Sequence, residues 1–414
     1  MLFKTKSGKT NLAINTSIYL VSDVLVKIIP FLLLPILTRS ISQSEYGLVA
    51  IFNNIIEITI VLTLFGANLF LRVEYFKDNY ELKETIRALI GNSFLIFIVL
   101  TLIFFALAFI DYEYDILGLN YWLLTIPFIA FVRSIISVFI SKFQCDESPL
   151  SVARLNLLQS LTVAVFILTL LSFGMGTAAV FGGTSAALLF ILLLIIFNNK
   201  VNFKSSIVNN KICKSAFKFG CGIFPYSVSW WIRTAADTFI IFSFLSASDL
   251  GEYTIIVKVS SILVVFVSAL NHAIAPRILQ NFSNKQQVQS IKIIFISILL
   301  VSFISLCMYL FQDFLFAIIA PASYSFSSDV FSILLLALIF KASSDFISNY
   351  FYFFNKSKFL SLITFIGSML HLVICFLFIS EYGIALVAYS TLFTFFGVLI
   401  AQLLYLNFNF KYLT

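Results

Sequence analysis

Nine charged residues stand inside stretches apolar enough to cross a bilayer: Asp23, Lys27, Glu57, Arg133, Arg233, Asp237, Lys258, Lys341 and Asp345. Each costs roughly 2.5–3.5 kcal/mol at mid-helix on insertion scales, so something must offset it. Six of them form i,i+4 pairs, Asp23 with Lys27, Arg233 with Asp237 and Lys341 with Asp345, which places both members on one helix face. Glu57, Arg133 and Lys258 have no opposite charge at i±3 or i±4. Two chemistries fit. The charges are structural ion pairs that lock helices together, or they line a water-filled cavity where they stay hydrated and receive a polar substrate. Cations outnumber acids by one, so such a cavity is mixed and slightly cationic. It suits an anionic or zwitterionic headgroup better than an organic cation. In the empty state Arg233 and Asp237 neutralise each other, and Arg233 is shared with substrate on loading. Trp230 and Trp231, beside Arg233, are either bulky packing residues or an indole platform for a sugar ring. Asp23, Glu57, Asp237 and Asp345 serve ion pairing or ion coupling, and nothing in the sequence selects a proton over sodium. His272 and His371 read as helix-packing residues rather than proton carriers.

The surrounding elements are set by composition. The chain has 414 residues, of which 61% are hydrophobic and 11% charged, with 50 phenylalanines. A soluble protein of this size carries about 25% charged residues, so this chain belongs in a bilayer. A crossing helix needs about 20 mostly apolar residues. Twelve runs qualify, at 13–37, 47–71, 87–110, 121–141, 154–173, 176–197, 216–245, 253–275, 291–311, 329–353, 359–379 and 383–406. Pro225 in the seventh, and Pro30 and Pro35 in the first, favour kinks because proline removes a backbone hydrogen bond. The first run reads as a retained signal anchor, since no cleavage-site pattern precedes it. Cys145, Cys213, Cys221, Cys307 and Cys375 show no CxxC or metal-ligand spacing, so they read as small apolar side chains and no metal or cofactor is expected. Ser7-Gly8-Lys9-Thr10 has the tail of a phosphate-binding loop, but Phe3 stands where the pattern needs glycine.

Lysine and arginine alternate between the loops. Lys4, Lys6 and Lys9 open a series continued by Arg72, Lys77, Lys83, Arg87, then Lys142, Arg154, then Lys200, Lys204, Lys211, Lys214, Lys218. Arg277, Lys285, Lys292, then Lys356, Lys358, then Lys411 complete it, while the opposite loops hold Arg39 alone. The positive-inside rule then puts both termini in the cytoplasm. The net charge of +7 is a topology signal and implies no nucleic acid. The chain also repeats itself. Residues 41–47, ISQSEYG, match 245–251, LSASDLG, and Gly176-Thr177-Ala178-Ala179 matches Gly383-Ile384-Ala385-Leu386 at nearly the same spacing. Each six-span set enters the membrane in the same sense. The expected architecture is therefore all-α, with twelve transmembrane helices in two parallel six-helix lobes, 1–200 and 201–414. The substrate site is expected near the midplane.

The run LTRSISQSEYGLVAIF at 37–52, its partner FLSASDLGEYTIIVKVSS at 244–261, FGANLFLRVEYF at 65–76, APRI at 275–278 and YGIALVAYS at 382–390 resemble the polysaccharide transporters of the multidrug/oligosaccharidyl-lipid/polysaccharide superfamily. Wzx-type O-antigen flippases are the subgroup most similar. The resemblance implies a V-shaped pair of lobes in the bacterial inner membrane. It implies alternating-access movement of undecaprenyl-pyrophosphate-linked oligosaccharide, for O-antigen and lipopolysaccharide biosynthesis, from the cytoplasmic to the periplasmic leaflet. It further implies a central cationic cavity, for which Lys27, Arg133, Arg233, Lys258 and Lys341 are the candidates. Besides the lipid-linked oligosaccharide and membrane lipids, it implies a polysaccharide polymerase and a chain-length regulator as partners. Two rivals remain. A multidrug or cation antiporter of the same superfamily would want an acidic cavity. A membrane glycosyltransferase or polymerase would want a long outward loop with catalytic residues, whereas the longest here, near 312–328, carries Asp313 as its one charge.

Overall fold

The computed structural model describes residues 12–77, 80–199, 210–354 and 356–410, and no strand occurs among them. The helices are α1 (Leu12–Ser40), α2 (Gln43–Leu64), α3 (Ala67–Lys77), α4 (Leu82–Tyr114), α5 (Thr125–Cys145), α6 (Pro149–Ser172) and α7 (Thr177–Asn199). They continue with α8 (Asn210–Phe244), α9 (Ala247–Ser283), α10 (Gln287–Leu310), α11 (Gln312–Ile319), α12 (Ser328–Phe353) and α13 (Ser357–Phe410). Among the described residues nine helices are long and apolar enough to cross a membrane, against the twelve runs read from the sequence. One of the nine, Lys358–Asn407, covers two of those runs, and α13 is interrupted between them at Gly383, whose φ is 62°. Glycine tolerates that left-handed conformation because it has no Cβ. The first and seventh runs correspond to α1 and α8, whose described apolar stretches are the shorter Ile28–Ser40 and Ala235–Phe244. Both α1 and α8 continue as single helices across the prolines expected to kink them.

The chain divides into two compact units, Met1–Ile41 with Leu48–Ala235, and Ser42–Gly47 with Ala236–Thr414. The sequence division at 200 and this one differ because the first half of α8 belongs to the earlier unit. There Ile212 and Ala216 are buried with Phe70, Leu71, Leu89 and Val138. In the first unit α5 packs against α3, α4, α6 and α7. In the second α12 packs against α9, α10 and α13. These two helices are the most enclosed spans, with 67% and 61% of their apolar windows buried. Around them, α4 exposes Leu95, Leu102, Phe105 and Phe109, and α10 exposes Phe295, Ile296 and Phe303. In water such faces would be prohibitive, whereas against acyl chains they are matched.

The two copies of the repeated loop fold alike. In the first, Ser42 Oγ accepts from the Glu45 N–H at 3.3 Å and Glu45 Oε2 accepts from the Ser42 N–H at 2.7 Å. In the second, Ser246 Oγ accepts from the Asp249 N–H and Asp249 Oδ2 from the Ser246 N–H, both at 3.1 Å. These are reciprocal capping boxes, which satisfy two free donors at the start of α2 and of α9. Within the second unit the copies touch. A methyl group at Gly47 would collide with the Ala247 carbonyl, and one at Gly251 with the Gln43 carbonyl. Gln43 also donates to the Ser248 carbonyl at 3.1 Å and accepts from the Ser325 N–H at 3.0 Å.

Candidate functional site

Each enclosed helix carries one cation near its middle, and α5 has a second, Lys142, in its last turn. In the first unit Arg133 projects from α5, and its Nη1 donates to Glu57 Oε1 of α2 at 3.2 Å. The two residues that lacked a partner along their own helices therefore meet across helices. Arg133 Nε is buried and has no hydrogen-bond partner among the described residues. A guanidinium has five N–H donors in a rigid fork, so one acid bound through one nitrogen leaves capacity for an anion. Trp231, from the same unit, donates its indole N–H to the Asn54 carbonyl of α2 at 3.0 Å. That bond fixes the ring's edge to the backbone one turn before Glu57.

In the second unit Lys341 and Asp345 form the i,i+4 ion pair that their spacing predicts, with Nζ 2.7 Å from Oδ2. Both side chains are over one-third exposed, because they line a recess of about 270 Å³ between α9 and α12. Ser268 and Asn271 add polar groups to its wall, while Val264, Val267 and Leu338 supply the apolar part. Asn271 is held in turn by Asn349 Nδ2 at 3.1 Å. A recess with one ammonium, one carboxylate, an amide and a hydroxyl can accept a zwitterion, or an anion that displaces Asp345 from Lys341.

A third cluster was not foreseen. Asp237, near the end of α8, receives Tyr253 Oη of α9 on Oδ2 at 3.1 Å and His371 Nε2 of α13 on Oδ1 at 2.8 Å. The other ring nitrogen of His371 bonds Ser390 Oγ at 2.9 Å. From the sequence alone His371 reads as a helix-packing residue. The signal that could have found it is the cost of a polar ring inside a span, which demands a partner from another helix when its own helix offers none. The side chains of Asp23, Lys27, Trp230, Arg233 and His272 lie outside those described, so the first two i,i+4 pairs are not placed. Lys258 is exposed on α9. Among the described residues no group of three or more His, Cys, Asp or Glu side chains is placed to hold a metal.

A family model described as polysaccharide biosynthesis protein matches residues 12–282. The chain belongs to that family. A second model, MatE, matches residues 225–377 of this family member. A protein of the Lsg locus of Haemophilus influenzae is 22% identical over 361 residues, covering 83% of this chain and 85% of the relative. Among solved structures, an inward-facing multidrug resistance MATE family transporter of the MOP superfamily superposes with a TM-score of 0.69 at 13% identity, covering 94% and 95% of the two chains. The lipid II flippase MurJ in an inward closed conformation gives 0.71 at 13% identity, covering 94% and 87%. A MOP superfamily transporter from Pyrococcus furiosus, described as having a binding pocket of reversed polarity, gives 0.60 at 13%, covering 97% and 94%. At that identity the likeness shows the fold: this member of the polysaccharide biosynthesis family has the all-helical fold of MOP superfamily transporters. Its fold neighbours are transporters and a flippase rather than enzymes. With its apolar helices, it is a multi-pass membrane protein.

Proposed function

We propose that this protein is a flippase of the bacterial inner membrane. It moves an undecaprenyl-pyrophosphate-linked oligosaccharide, an O-antigen or related repeat unit, from the cytoplasmic to the periplasmic leaflet. The observation that carries the reading is that the enclosed helix of each unit brings one cation to the middle of its span, Arg133 on α5 and Lys341 on α12. Each is balanced by a single acid and retains donors for a phosphate. The family supports a role in polysaccharide biosynthesis, and the shared fold with a lipid II flippase supports a lipid-linked cargo. Lys27, Arg233 and Lys258 are assigned to the same cationic lining, with Trp230 and Trp231 as sugar-facing rings. Charge-assisted hydrogen bonds to the pyrophosphate are strong where water is scarce. The polyprenyl tail stays in lipid, so the headgroup alone takes the polar route. An inside-negative potential contributes about 2.3 kcal/mol per charge per 100 mV in the outward direction. Both termini are cytoplasmic, and a polymerase with its chain-length regulator consumes the product on the far side.

The test is complementation of surface polysaccharide in a strain lacking the gene, with protein amount controlled by immunoblot. R133A and K341A are each expected to lower output roughly 10–100-fold, the loss of about 1.5–3 kcal/mol for a hydrogen bond to a charged group. Normal output from both variants at normal protein levels removes the assignment. The same strains distinguish the cation-antiporter alternative, which the MatE match over 225–377 favours. Unchanged polysaccharide together with raised drug sensitivity in the null strain would select it.

A further inference from the structure

We propose that His371, with Asp237, Tyr253 and Ser390, forms a proton-binding site inside the second unit, separate from the Lys341 recess. Three helices build it: Asp237 comes from α8, Tyr253 from α9, and His371 and Ser390 from the parts of α13 on either side of Gly383. The site is enclosed. The His371 and Asp237 side chains are 12% and 23% exposed, and Tyr253 is 7% exposed. Cys375, fully buried one turn along from His371, closes it with Sγ 3.8 Å from both ring nitrogens. Thr391 lies beside the Tyr253 hydroxyl. The groups facing His371 are thus Asp237 from α8, Tyr253 from α9, and Cys375 and Ser390 from α13. On the adjacent α12, Lys341 and Asp345 bond each other.

The hydrogen-bond pattern holds in two protonation states. With a neutral imidazole, Nε2–H donates to Asp237 and Nδ1 accepts from the Ser390 hydroxyl. When a proton from water joins Nδ1, the ring becomes a donor at both nitrogens, and the Ser390 hydroxyl rotates to accept instead of donate. No bond is lost, and no buried polar atom is orphaned by the change. The net charge of the His371–Asp237 pair passes from −1 to 0, so the protonated pair carries no uncompensated charge. A structural clamp would need none of this reversibility. Tyr253 donates to the second carboxylate oxygen and so holds Asp237 in line with the ring in both states. Because His371 and Ser390 lie across the Gly383 break, the proton also ties the two parts of α13 together.

The site supplies the coupling ion for the flippase reading above and in that respect rests on it, but proton binding is measurable without any substrate. The chain has two histidines, so His272→Gln leaves His371 as the sole imidazole. Full-length H272Q protein, labelled with ¹⁵N-histidine and held in lipid nanodiscs, is titrated from about pH 5 to pH 11 by NMR. A single ionisation of the ring is expected. Its midpoint should move by about one pH unit or more when D237N is added, and by a measurable amount when S390A removes one hydroxyl. An imidazole that keeps one ionisation state throughout, or a midpoint indifferent to both substitutions, overturns the proposal. In proteoliposomes, S390A is expected to shift the pH dependence of transport of a lipid-linked oligosaccharide by the same interval as the NMR midpoint. A wild-type pH profile in S390A, alongside a shifted midpoint, overturns coupling. Absence of transport in wild-type protein, with the ring still titrating, sinks the cargo reading and leaves the site standing.

Discussion

Arg133 engages Glu57 through one nitrogen and leaves Nε without a partner among the described residues, an arrangement that would be wasteful for a helix clamp. How much the pair stabilises the fold depends on its surroundings. Glu57 is 51% exposed, and an ion pair in contact with water contributes under about 1 kcal/mol, whereas removing one partner of a dry pair costs about 3–5 kcal/mol. A double-mutant cycle over R133A and E57A, read by thermal unfolding in detergent, is expected to give a coupling below about 1 kcal/mol, while R133A alone still suppresses transport. A coupling of several kcal/mol would mean a dry structural lock. At this scale, legibility in the sequence depended on separation. The Lys341–Asp345 bond could be read from i,i+4 spacing because the helix itself fixes the geometry. Arg133 with Glu57, and His371 with Asp237, could not, since each pair joins separate helices and no local pattern encodes which helices meet.

The ends of α2 and α9 show what the helices ask of their sequence. The motif Ser-x-x-Glu/Asp announces a capping box, and both copies form one. The glycine closing each motif is there for a different reason. Gly47 and Gly251 sit on the Ala247 and Gln43 carbonyls so closely that no Cβ fits, and backbone cannot swing aside as a side chain can. G251A must push α2 and α9 apart and strain the Gln43–Ser248 and Gln43–Ser325 bonds. Overpacking of this kind costs typically 1–3 kcal/mol, so a clear fall in the thermal midpoint is expected. Gly222 on α8 is the control, because a methyl there meets nothing within 4 Å. G222A should leave stability unchanged or raise it, by up to about 1 kcal/mol from helix propensity. Equal losses from both substitutions would count against the close approach. The repeat was legible as a match of letters, but the contact between its copies was not, because pattern similarity carries no information about which surfaces touch.

Across the whole molecule, hydropathy was the most readable signal, since the bilayer imposes one length on every crossing, and the loop charges add an expectation of orientation to the spans. Lys358–Asn407 is the case that tests them. As one straight helix, 50 residues would reach roughly 75 Å, more than twice the approximately 30 Å hydrocarbon core. The break at Gly383 divides it into pieces of ordinary length, and Lys356 and Lys358 lie at one end and Lys411 at the other. By the positive-inside rule both ends are expected in the cytoplasm, with the break on the opposite side. Reporter fusions test this directly. Alkaline phosphatase, active outside, is expected to be active when joined after Ser380 and inactive after Phe410, and green fluorescent protein should give the reverse. A fusion after Ile116, between α4 and α5, should behave as the one after Ser380 does. If phosphatase were active at both Ser380 and Phe410, the second part of α13 would not cross. The C-terminal half would then have an odd number of crossings, and the equivalence of the two halves would be lost.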